Sequence, residues 1–364
     1  MISRAKRQPL YQQLAAKLVQ DITNGKYQPG ECLPSIRELA EFFEVTVPTV
    51  QKALRILVED GTLYTKQGVG TFVNLPPVRR KKQIALVLPD ISAPFYAEIT
   101  KAVEMTCRKA GFNVVLYNTF YSEEEERACL SGLPDDQVCG VLVAPIPDTG
   151  NSQAYKRLLD SGLKTVFLVR AVEGVEAASV VTADYEGVQH LLEYLIRIGH
   201  ERIGYIGSYP SNRRKVALEA FRHTLQMHNL ELREEWIQLS SLSGIAGGKE
   251  GIVKILAQKE HPTAVFACND LTAIGVIHGI QEVGLKVPDD MAVAGFDNIE
   301  LAEYLQVPLT TMEQPKAEMG TLAARLLIDQ INGLDVQPRQ TVLYPQLIVR
   351  RSCGSFLAAQ RSAQ

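Results

Sequence analysis

The sequence has 364 residues, enough for two or three domains, and its 46% hydrophobic and 22% charged residues are typical of a globular protein. This composition excludes collagen-like, disordered and disulfide-scaffold classes. The six cysteines form no C-x-x-C pair, and no secretory leader or apolar run of about 20 residues is evident, so we expect a cytoplasmic protein with reduced thiols. Residues 1–82 hold 13 basic and 7 acidic residues, a net +6, whereas the remainder carries −9. This asymmetry predicts a basic module that meets a polyanion and an acidic body that does not.

The first 60 residues contain three helical patterns. Apolar residues recur every four positions over residues 10–22, and Ser35 and Glu38 have capping-box spacing at the start of a second helix. A third helix is predicted to begin at Thr46-Val47-Pro48. Residues 62–73 form two β-rich segments around Gln67-Gly68-Val69-Gly70, which predicts a glycine-tipped hairpin. Two short helices followed by such a hairpin indicate a winged helix-turn-helix.

Residues 9–73 resemble the GntR-type winged-helix domain over nearly their whole length. The matching motifs are Pro9-Leu10-Tyr11, Pro29-Gly30, Leu33-Pro34-Ser35, Arg37-Glu38-Leu39-Ala40, Thr49-Val50, Ala53-Leu54 and Gly68-Val69-Gly70-Thr71-Phe72-Val73. The resemblance implies that the third helix enters the major groove of DNA and that the wing tip reaches the minor groove.

Nine residues of this module are predicted to contact phosphates or base edges, with a close backbone approach at the glycine: Arg37, Thr46, Thr49, Gln51, Lys52, Arg55, Lys66, Gln67 and Gly68. Val47 and Gln51 stand where the family commonly has arginine. Because glutamine pairs with adenine and arginine favours guanine, the operator is predicted to differ from the usual family sites. The alternative for Gln51 and Lys52 is a simply solvated helix surface.

We assign residues 1–74 to the DNA-binding domain, 75–82 to a linker and 83–364 to an effector-binding and dimerisation domain. Leu75-Pro76-Pro77-Val78 followed by Arg79-Arg80-Lys81-Lys82 predicts a short, stiff, basic linker. The linker is either merely solvated or makes additional phosphate contacts.

From Gln83 onward, buried-strand patterns alternate with helical ones. The apolar runs that predict strands are residues 84–88, 114–117, 140–144, 165–168, 202–206, 264–267 and 291–294. Continuous apolar runs between helices are typical of parallel strands covered on both faces. About 280 residues of this alternation exceed one ordinary sheet, so the sequence predicts an α/β body of two doubly wound lobes with a ligand cleft between them.

The body is similar to the LacI/GalR-type effector domain, which shares the periplasmic-binding-protein-like fold. The matching segments are Leu88–Ser92, Pro94-Phe95-Tyr96, Gly199–Ile203, Asn269-Asp270, Val287–Asp290, Gly295-Phe296-Asp297, Pro308–Thr311 and Gln314-Pro315. A GntR-type head on this body resembles hybrid regulators of the arabinose-repressor type. The resemblance implies a sequence-specific transcriptional regulator, a repressor by expectation, that binds an operator as a homodimer and responds to a small molecule, expected to be a sugar.

The resemblance and the predicted strand ends give six effector-binding candidates: Phe95, Tyr96, Arg170, Asn269, Asp270 and Asp297. The two aromatic residues either stack on a sugar or purine ring or pack in the core. Asp297 either accepts hydrogen bonds from ligand hydroxyls or serves as a structural cap.

Several contacts common in the family are missing from this sequence. Val169, Ala217 and Ser243 stand where the family often has ligand-contacting side chains. Arg170 or Arg213 would favour an anionic sugar derivative instead, so the sequence does not identify the effector. The alternative function is a constitutive DNA-binding dimer whose cleft no longer binds an effector.

Rival function classes lack their motifs. No H-E-x-x-H, zinc-spaced Cys/His cluster, G-x-S-x-G or Walker lysine is present, so we predict no catalysis, metal or cofactor. His200 is expected to be structural, and the run Glu123–Glu126 a solvated helix start. A transport receptor would need export, which neither a leader nor the basic head supports.

Overall fold

A computed structural model describes residues 9–23, 26–74, 82–133, 138–147, 149–208, 212–335 and 339–354. They belong to two compact units, residues 1–81 and 82–364. The predicted linker lies outside the described residues except for Lys82, which is the first residue of a strand in the second unit. No helix among the described residues is long and apolar enough to cross a bilayer.

The first unit is a winged helix-turn-helix. Its elements are α1 (Leu10–Thr23), α2 (Ile36–Phe42), α3 (Val47–Glu59), β1 (Leu63–Lys66) and β2 (Gly70–Val73). The predicted capping box begins α2: Ser35 Oγ accepts from the Glu38 amide at 3.3 Å, and Glu38 Oε2 accepts from the Ser35 amide at 2.7 Å. Apolar side chains of all three helices and of both strands form one core. The β1–β2 hairpin is antiparallel, so the predicted wing is confirmed.

The second unit contains nine helices in its described part. They are α4 (Pro94–Lys109), α5 (Glu123–Gly132), α6 (Ser152–Asp160), α7 (Asp184–Arg197), α8 (Asn212–Met227), α9 (Gly244–Leu256), α10 (Asp270–Glu282), α11 (Leu301–Tyr304) and α12 (Lys316–Ile331). Its first sheet is formed by β3 (Lys82–Leu88), β4 (Phe112–Asn118), β5 (Val138–Val143), β6 (Lys164–Val169), β7 (Ala178–Thr182) and β13 (Gln340–Leu343). Its second sheet is formed by β8 (Ile203–Ser208), β9 (Ile237–Ser240), β10 (Ala264–Ala267), β11 (Ala292–Asp297), β12 (Thr310–Glu313) and β14 (Gln346–Ile348).

The two sheets define two lobes. The first sheet has the order β13-β7-β6-β5-β3-β4 and is parallel throughout. The second has the order β14-β12-β11-β10-β8-β9, in which only β14 is antiparallel. Each sheet has an apolar cluster on both faces, so the prediction of two doubly wound lobes is confirmed.

Five strands were not predicted from the sequence: β7, β9, β12, β13 and β14. All five contain polar residues within the strand, and β13 and β14 are edge strands with exposed positions. Their pairing therefore depends on the neighbouring strand rather than on local hydrophobicity.

The chain crosses between the lobes three times, at β7–α7, at β12–α12 and at β13–β14. The crossings are tightly packed: a Cβ on Gly187 would lie 2.5 Å from Pro345 Cγ and 3.2 Å from Phe296 Cζ. Because these segments join the lobes, side chains near them can respond to the angle between the lobes.

Candidate DNA-binding surface and ligand cleft

The third helix presents polar side chains on one face. Val50, Ala53, Leu54 and Leu57 are buried, which leaves Gln51, Lys52 and Arg55 exposed on the opposite side of α3. The Lys52 ammonium lies 4.1 Å from the centroid of the Tyr11 ring, and this contact orients the lysine. Tyr11 was not among the predicted contacts, and only its place in the Pro9-Leu10-Tyr11 motif indicated a role.

At the start of α3, the hydroxyls of two threonines form a hydrogen bond with each other. Thr46 is the N-cap and its hydroxyl lies 2.9 Å from that of Thr49. Val47 is partly exposed at the same end, where the family commonly has arginine. Arg37 is exposed on α2.

The wing supplies the other predicted contacts. Lys66, Gln67 and Gly68 are exposed at its tip, and Gly68 has a φ of +75°, a conformation that side chains disfavour. Lys66 Nζ lies 5.2 Å from the centroid of the Phe72 ring. The wing tip and the polar face of α3 thus combine cations with a backbone that a groove can approach closely.

A cavity of about 440 Å³ lies between the lobes of the second unit, within the size range of small-molecule sites. It lies at the carboxyl ends of β3, β5, β10 and β11, the expected ligand position in doubly wound sheets. Its described lining residues are Asp90, Ala93, Pro94, Phe95, Tyr96, Phe120, Tyr121, Ile146, Pro147, Arg170, Asp184, Val188, Ala217, Ser241, Ser243, Gly244, Phe266, Cys268, Asn269, Leu271, Phe296, Asp297 and Ile299.

Five of the six predicted effector residues line this cavity. Phe95 and Tyr96 begin α4 and are almost fully buried, with their rings 5.0 Å apart at an interplanar angle of 76°. They also belong to the core of the first lobe, so both interpretations of these aromatic residues have structural support. Asn269 caps α10, its side-chain oxygen accepting from the Thr272 amide at 2.8 Å, so a ligand contact would use its amide nitrogen.

Asp297 ends β11 on the opposite wall of the cavity. Its carboxylate accepts a hydrogen bond from Gln314 Nε2 at 2.6 Å. Its φ of +122° is unusual for a residue with a side chain, and such strain persists only where surrounding contacts enforce it. The contacts that do so come from residues at the β12–α12 crossing.

Asp270 does not line the cavity, which corrects the sequence-based assignment. Its side chain is fully buried beneath the cleft, where it accepts from the Ile299 amide at 2.8 Å and from the Thr311 hydroxyl at 2.5 Å. Burial, reinforced by the nearby charge of Asp297, raises the pKa of Asp270 to about 7. Its position after β10 was correct, but its side chain connects α10 to the β11 and β12 region instead of facing a ligand.

Arg170 follows Val169, a β-branched residue with a φ of +67°. Arg170 Nη1 donates to the Pro145 carbonyl at 2.5 Å. The buried Nε of the same side chain has no hydrogen-bond partner among the described residues. The side chain borders the cleft and also an adjoining cavity of about 740 Å³. Ala217 and Ser243 line the cleft with small side chains, and the Arg213 side chain is outside the described part of the chain.

Two aromatic residues at the cleft were missed by the sequence reasoning. Phe120 and Tyr121 line the cavity, are exposed, and both have positive φ values near +50°. The Tyr121 amide donates to the Pro89 carbonyl at 3.1 Å and fixes this turn. Their only sequence signal was an aromatic pair shortly after a strand.

The loop that carries Ile146 is held by a buried carboxylate. Glu126 Oε1 accepts from the Ile146 amide at 2.8 Å and from the Tyr155 hydroxyl at 2.7 Å, while Oε2 accepts from Thr149 at 2.5 Å and from Asn151 Nδ2 at 2.9 Å. The interpretation of Glu123–Glu126 as a solvated helix start is therefore wrong for Glu126, which is fully buried. Burial, with Glu126 alongside, raises the pKa of Tyr155.

The histidine that an enzyme could use as a base makes structural contacts. The His200 ring nitrogens lie 3.1 Å from the Thr263 hydroxyl and 3.1 Å from the Cys353 carbonyl, as expected for a structural histidine. Within the described part of the chain, no group of three or more metal-ligating side chains is present.

The fold and the cleft define a class of protein: a winged-helix head joined to a two-lobed, periplasmic-binding-protein-like body. Residues 10–73 match the family described as bacterial regulatory proteins, gntR family, and residues 192–353 match the periplasmic binding protein-like domain. An arabinose metabolism transcriptional repressor from Geobacillus stearothermophilus is 30% identical over 359 residues, covering 96% of this chain and 99% of the relative. The chain therefore belongs to this family of GntR-type transcriptional repressors with LacI/GalR-like bodies.

Two further comparisons concern mainly the body. The HTH-type transcriptional repressor PurR from Serratia proteamaculans is 33% identical over 295 residues, covering 78% of this chain and 84% of that one. A LacI family transcriptional regulator from Lactobacillus casei, solved with bound sucrose, is 26% identical with a TM-score of 0.66, covering 74% of this chain and 99% of that one.

Proposed function

We propose that this protein is a cytoplasmic homodimeric repressor, without catalytic activity, whose operator affinity changes when a small neutral sugar or sugar derivative binds between the lobes. The observation that carries the proposal is the cavity in which a carboxylate, Asp297, lies across from the aromatic pair Phe95 and Tyr96. An ionised carboxylate only accepts hydrogen bonds and suits ligand hydroxyls, while aromatic faces suit the apolar face of a sugar ring.

The charge of the cleft favours a neutral ligand. Among the described lining residues, Asp90, Asp184 and Asp297 contribute three carboxylates against the single guanidinium of Arg170. Part of that guanidinium is engaged by the Pro145 carbonyl. We therefore prefer a neutral polyol over the anionic derivative that the sequence left open, because an anion would meet a net negative wall.

Dimerisation through the body is supported by exposed apolar side chains on both lobes. Ile91, Met105 and Leu116 are exposed on the first lobe, and Ile245 and Val253 on the second. A stable dimer buries about 800 Å² per partner, and a head of about 74 residues offers little area for it. The occupant that we propose for these faces is a second copy of the chain.

The proposal is tested on the operator recovered by selecting bound sequences from random duplex DNA. The full-length protein is titrated with this DNA in the presence of L-arabinose, sucrose and a panel of neutral sugars, sugar acids and nucleosides. We expect a neutral sugar to change operator affinity between about 5- and 150-fold, the usual range of allosteric coupling. Melting temperature measured with the same compounds reports binding independently of DNA.

A pair of variants locates the response. Asp297→Asn should leave operator affinity unchanged and abolish the ligand response, whereas Asp160→Asn, at an exposed carboxylate ending α6, should behave as wild type. A full response in Asp297→Asn would contradict the cleft assignment. If no compound shifts either melting temperature or operator affinity, the constitutive DNA-binding dimer replaces the proposal.

A further inference from the structure

A buried ammonium group makes contacts with both lobes. Lys316 is the first residue of α12, at the β12–α12 crossing, and is only 2% exposed. Its Nζ donates to the carbonyls of Asp297 at 2.6 Å and Asn298 at 3.1 Å, both in the second lobe. The same Nζ lies 3.6 Å from Oε1 of Glu98, on α4 of the first lobe.

These contacts explain how an unusual backbone is maintained beside the cleft. Asp297 and Asn298 have φ values of +122° and +49°, which residues with side chains rarely adopt. Lys316 binds both of their carbonyls, while Gln314 Nε2 binds the Asp297 carboxylate. A buried ammonium requires such acceptors, so the turn and the lysine stabilise each other.

A second path of hydrogen bonds reaches the first lobe at another crossing. Gln314 Oε1 accepts from the Thr182 hydroxyl at 3.1 Å, and Thr182 ends β7. Asp297 is thus connected to the first lobe through Gln314 and Thr182 and through Lys316 and Glu98. The Lys316 path differs because its ammonium has acceptors in both lobes: the Asp297 and Asn298 carbonyls in the second lobe and the half-exposed Glu98 carboxylate in the first.

We propose that Lys316 is a positioning residue that couples the angle between the lobes to the orientation of Asp297. Rotation of the lobes changes the distance from Nζ to the two carbonyls, because α12 packs against α4 in the first lobe whereas the carbonyls move with the second. When the carbonyls are close, the ammonium is shared between the lobes; when they are distant, Glu98 on the neighbouring helix is its remaining acceptor. This inference rests on the proposed function. It states that a ligand bound at Asp297 acts by changing the angle between the lobes.

The first test is backbone hydrogen exchange of the full-length protein without added ligand. Lys316→Met should accelerate exchange at least tenfold in peptides that contain Asp297–Ile299, and Glu98→Gln should accelerate it several-fold. Glu104→Gln is the matched control, because Glu104 lies on the same helix and pairs with Arg108 at 3.2 Å. The Glu104→Gln variant should show the same backbone exchange rates as the wild type. Adding Glu98→Gln to Lys316→Met should produce no further change, because the two residues act through one contact.

A second readout separates positioning from simple stabilisation. Glu98→Gln keeps an acceptor oxygen near the Lys316 ammonium, which also retains its two carbonyl acceptors, so the melting temperature should stay within about 2 °C of wild type. Its operator affinity should nevertheless change two- to fivefold, and the affinity of Glu104→Gln should not. Wild-type exchange and operator affinity in Glu98→Gln, or additive effects in the double variant, would overturn the inference.

Failure of this inference differs from failure of the proposed function. If the protein binds no operator or no sugar, hydrogen exchange still reports whether Glu98 and Lys316 act together. If Lys316→Met does not fold, the comparison of Glu98→Gln with Glu104→Gln decides the question alone.

Discussion

At the residue scale, two neighbouring carboxylates have different environments. Asp297 lines the cavity, and its carboxylate accepts a hydrogen bond from Gln314. The Asp270 side chain, in contrast, is fully buried below the cavity. Asp270 follows a buried strand and Asp297 ends one, so strand position alone does not distinguish them. The difference arises from side-chain direction, which depends on the Ile299 amide and the Thr311 hydroxyl, brought close only by the tertiary fold.

The raised pKa of Asp270 predicts a pH dependence of stability. Burial and the charge of Asp297 raise this pKa to about 7, so between pH 4 and 7 the native state binds a proton that the unfolded state has released. The free energy of unfolding should therefore fall as pH rises through this window, by at most about 4 kcal/mol. Denaturant unfolding from pH 5 to 8 measures the slope.

The control for this prediction is Asp270→Asn, which removes the ionisable group and keeps the shape. The variant should lose most of the decline between pH 5 and 7, while Asp289→Asn, at an exposed position, should retain it. Parallel pH profiles for wild type and Asp270→Asn would contradict the assignment.

Lys52 tests how the head recognises DNA. If the ammonium beside Tyr11 contacts a phosphate, Lys52→Ala should weaken binding to all sequences and reduce the slope of log K against log salt by roughly one per head. Lys156→Ala, an exposed lysine on α6, is the control and should change neither quantity. Altered selectivity at one base pair, with the slope retained, would instead indicate a base contact.

At the element scale, the sequence predicted those features whose physical cause is local. The capping box of α2, the glycine-tipped wing and the continuous apolar strands each have a signature within a few residues. Edge strands such as β13 and β14 lack that signature because their partners are distant in sequence. The same reason hid Glu126 and Lys316, whose charges are satisfied only by contacts formed in the folded protein.

Glu126 gives a prediction for the loop after β5. Glu126→Gln replaces an acceptor-only carboxylate by an amide, so at least one of the donors from Ile146, Thr149, Asn151 and Tyr155 loses its partner. The free energy of unfolding should decrease by about 1–3 kcal/mol, and ligand affinity should weaken because Ile146 borders the cavity. Denaturant unfolding and a ligand titration measure the two effects.

The neighbouring exposed residue supplies the control for Glu126. Glu124→Gln should leave both stability and ligand affinity unchanged, because Glu124 is exposed on the same helix. Equal stability losses in the two variants would show that the charge at the start of α5, and not the buried contacts, is responsible.

At the scale of the whole molecule, the charge division separates two tasks. The basic first 82 residues favour binding to DNA phosphates, and the acidic remainder avoids non-specific attachment of the body. This division and the two-lobed architecture were predictable from the sequence, whereas the ligand was not. Ala217 and Ser243 line the cleft with small side chains, whereas Phe120 and Tyr121, which no family motif identified, line it with exposed aromatic rings.

The symmetry of the assembly should be visible in its DNA. A dimer of the body presents two heads, and its operator should be a pseudo-palindrome because the site reflects the two-fold symmetry of the protein. If each head makes roughly four phosphate contacts, the slope of log K against log salt should be near −7.

Residues 83–364 alone should sediment as a dimer, and residues 1–74 alone as a monomer with much weaker operator affinity. Replacing exposed Met105 and Val253 by lysine places like charges within the proposed interface and should shift the body towards monomer, whereas Val283→Lys, which lies outside α4 and α9, should not. A body that is monomeric at micromolar concentration, or a slope near zero on an asymmetric site, would refute the dimeric arrangement.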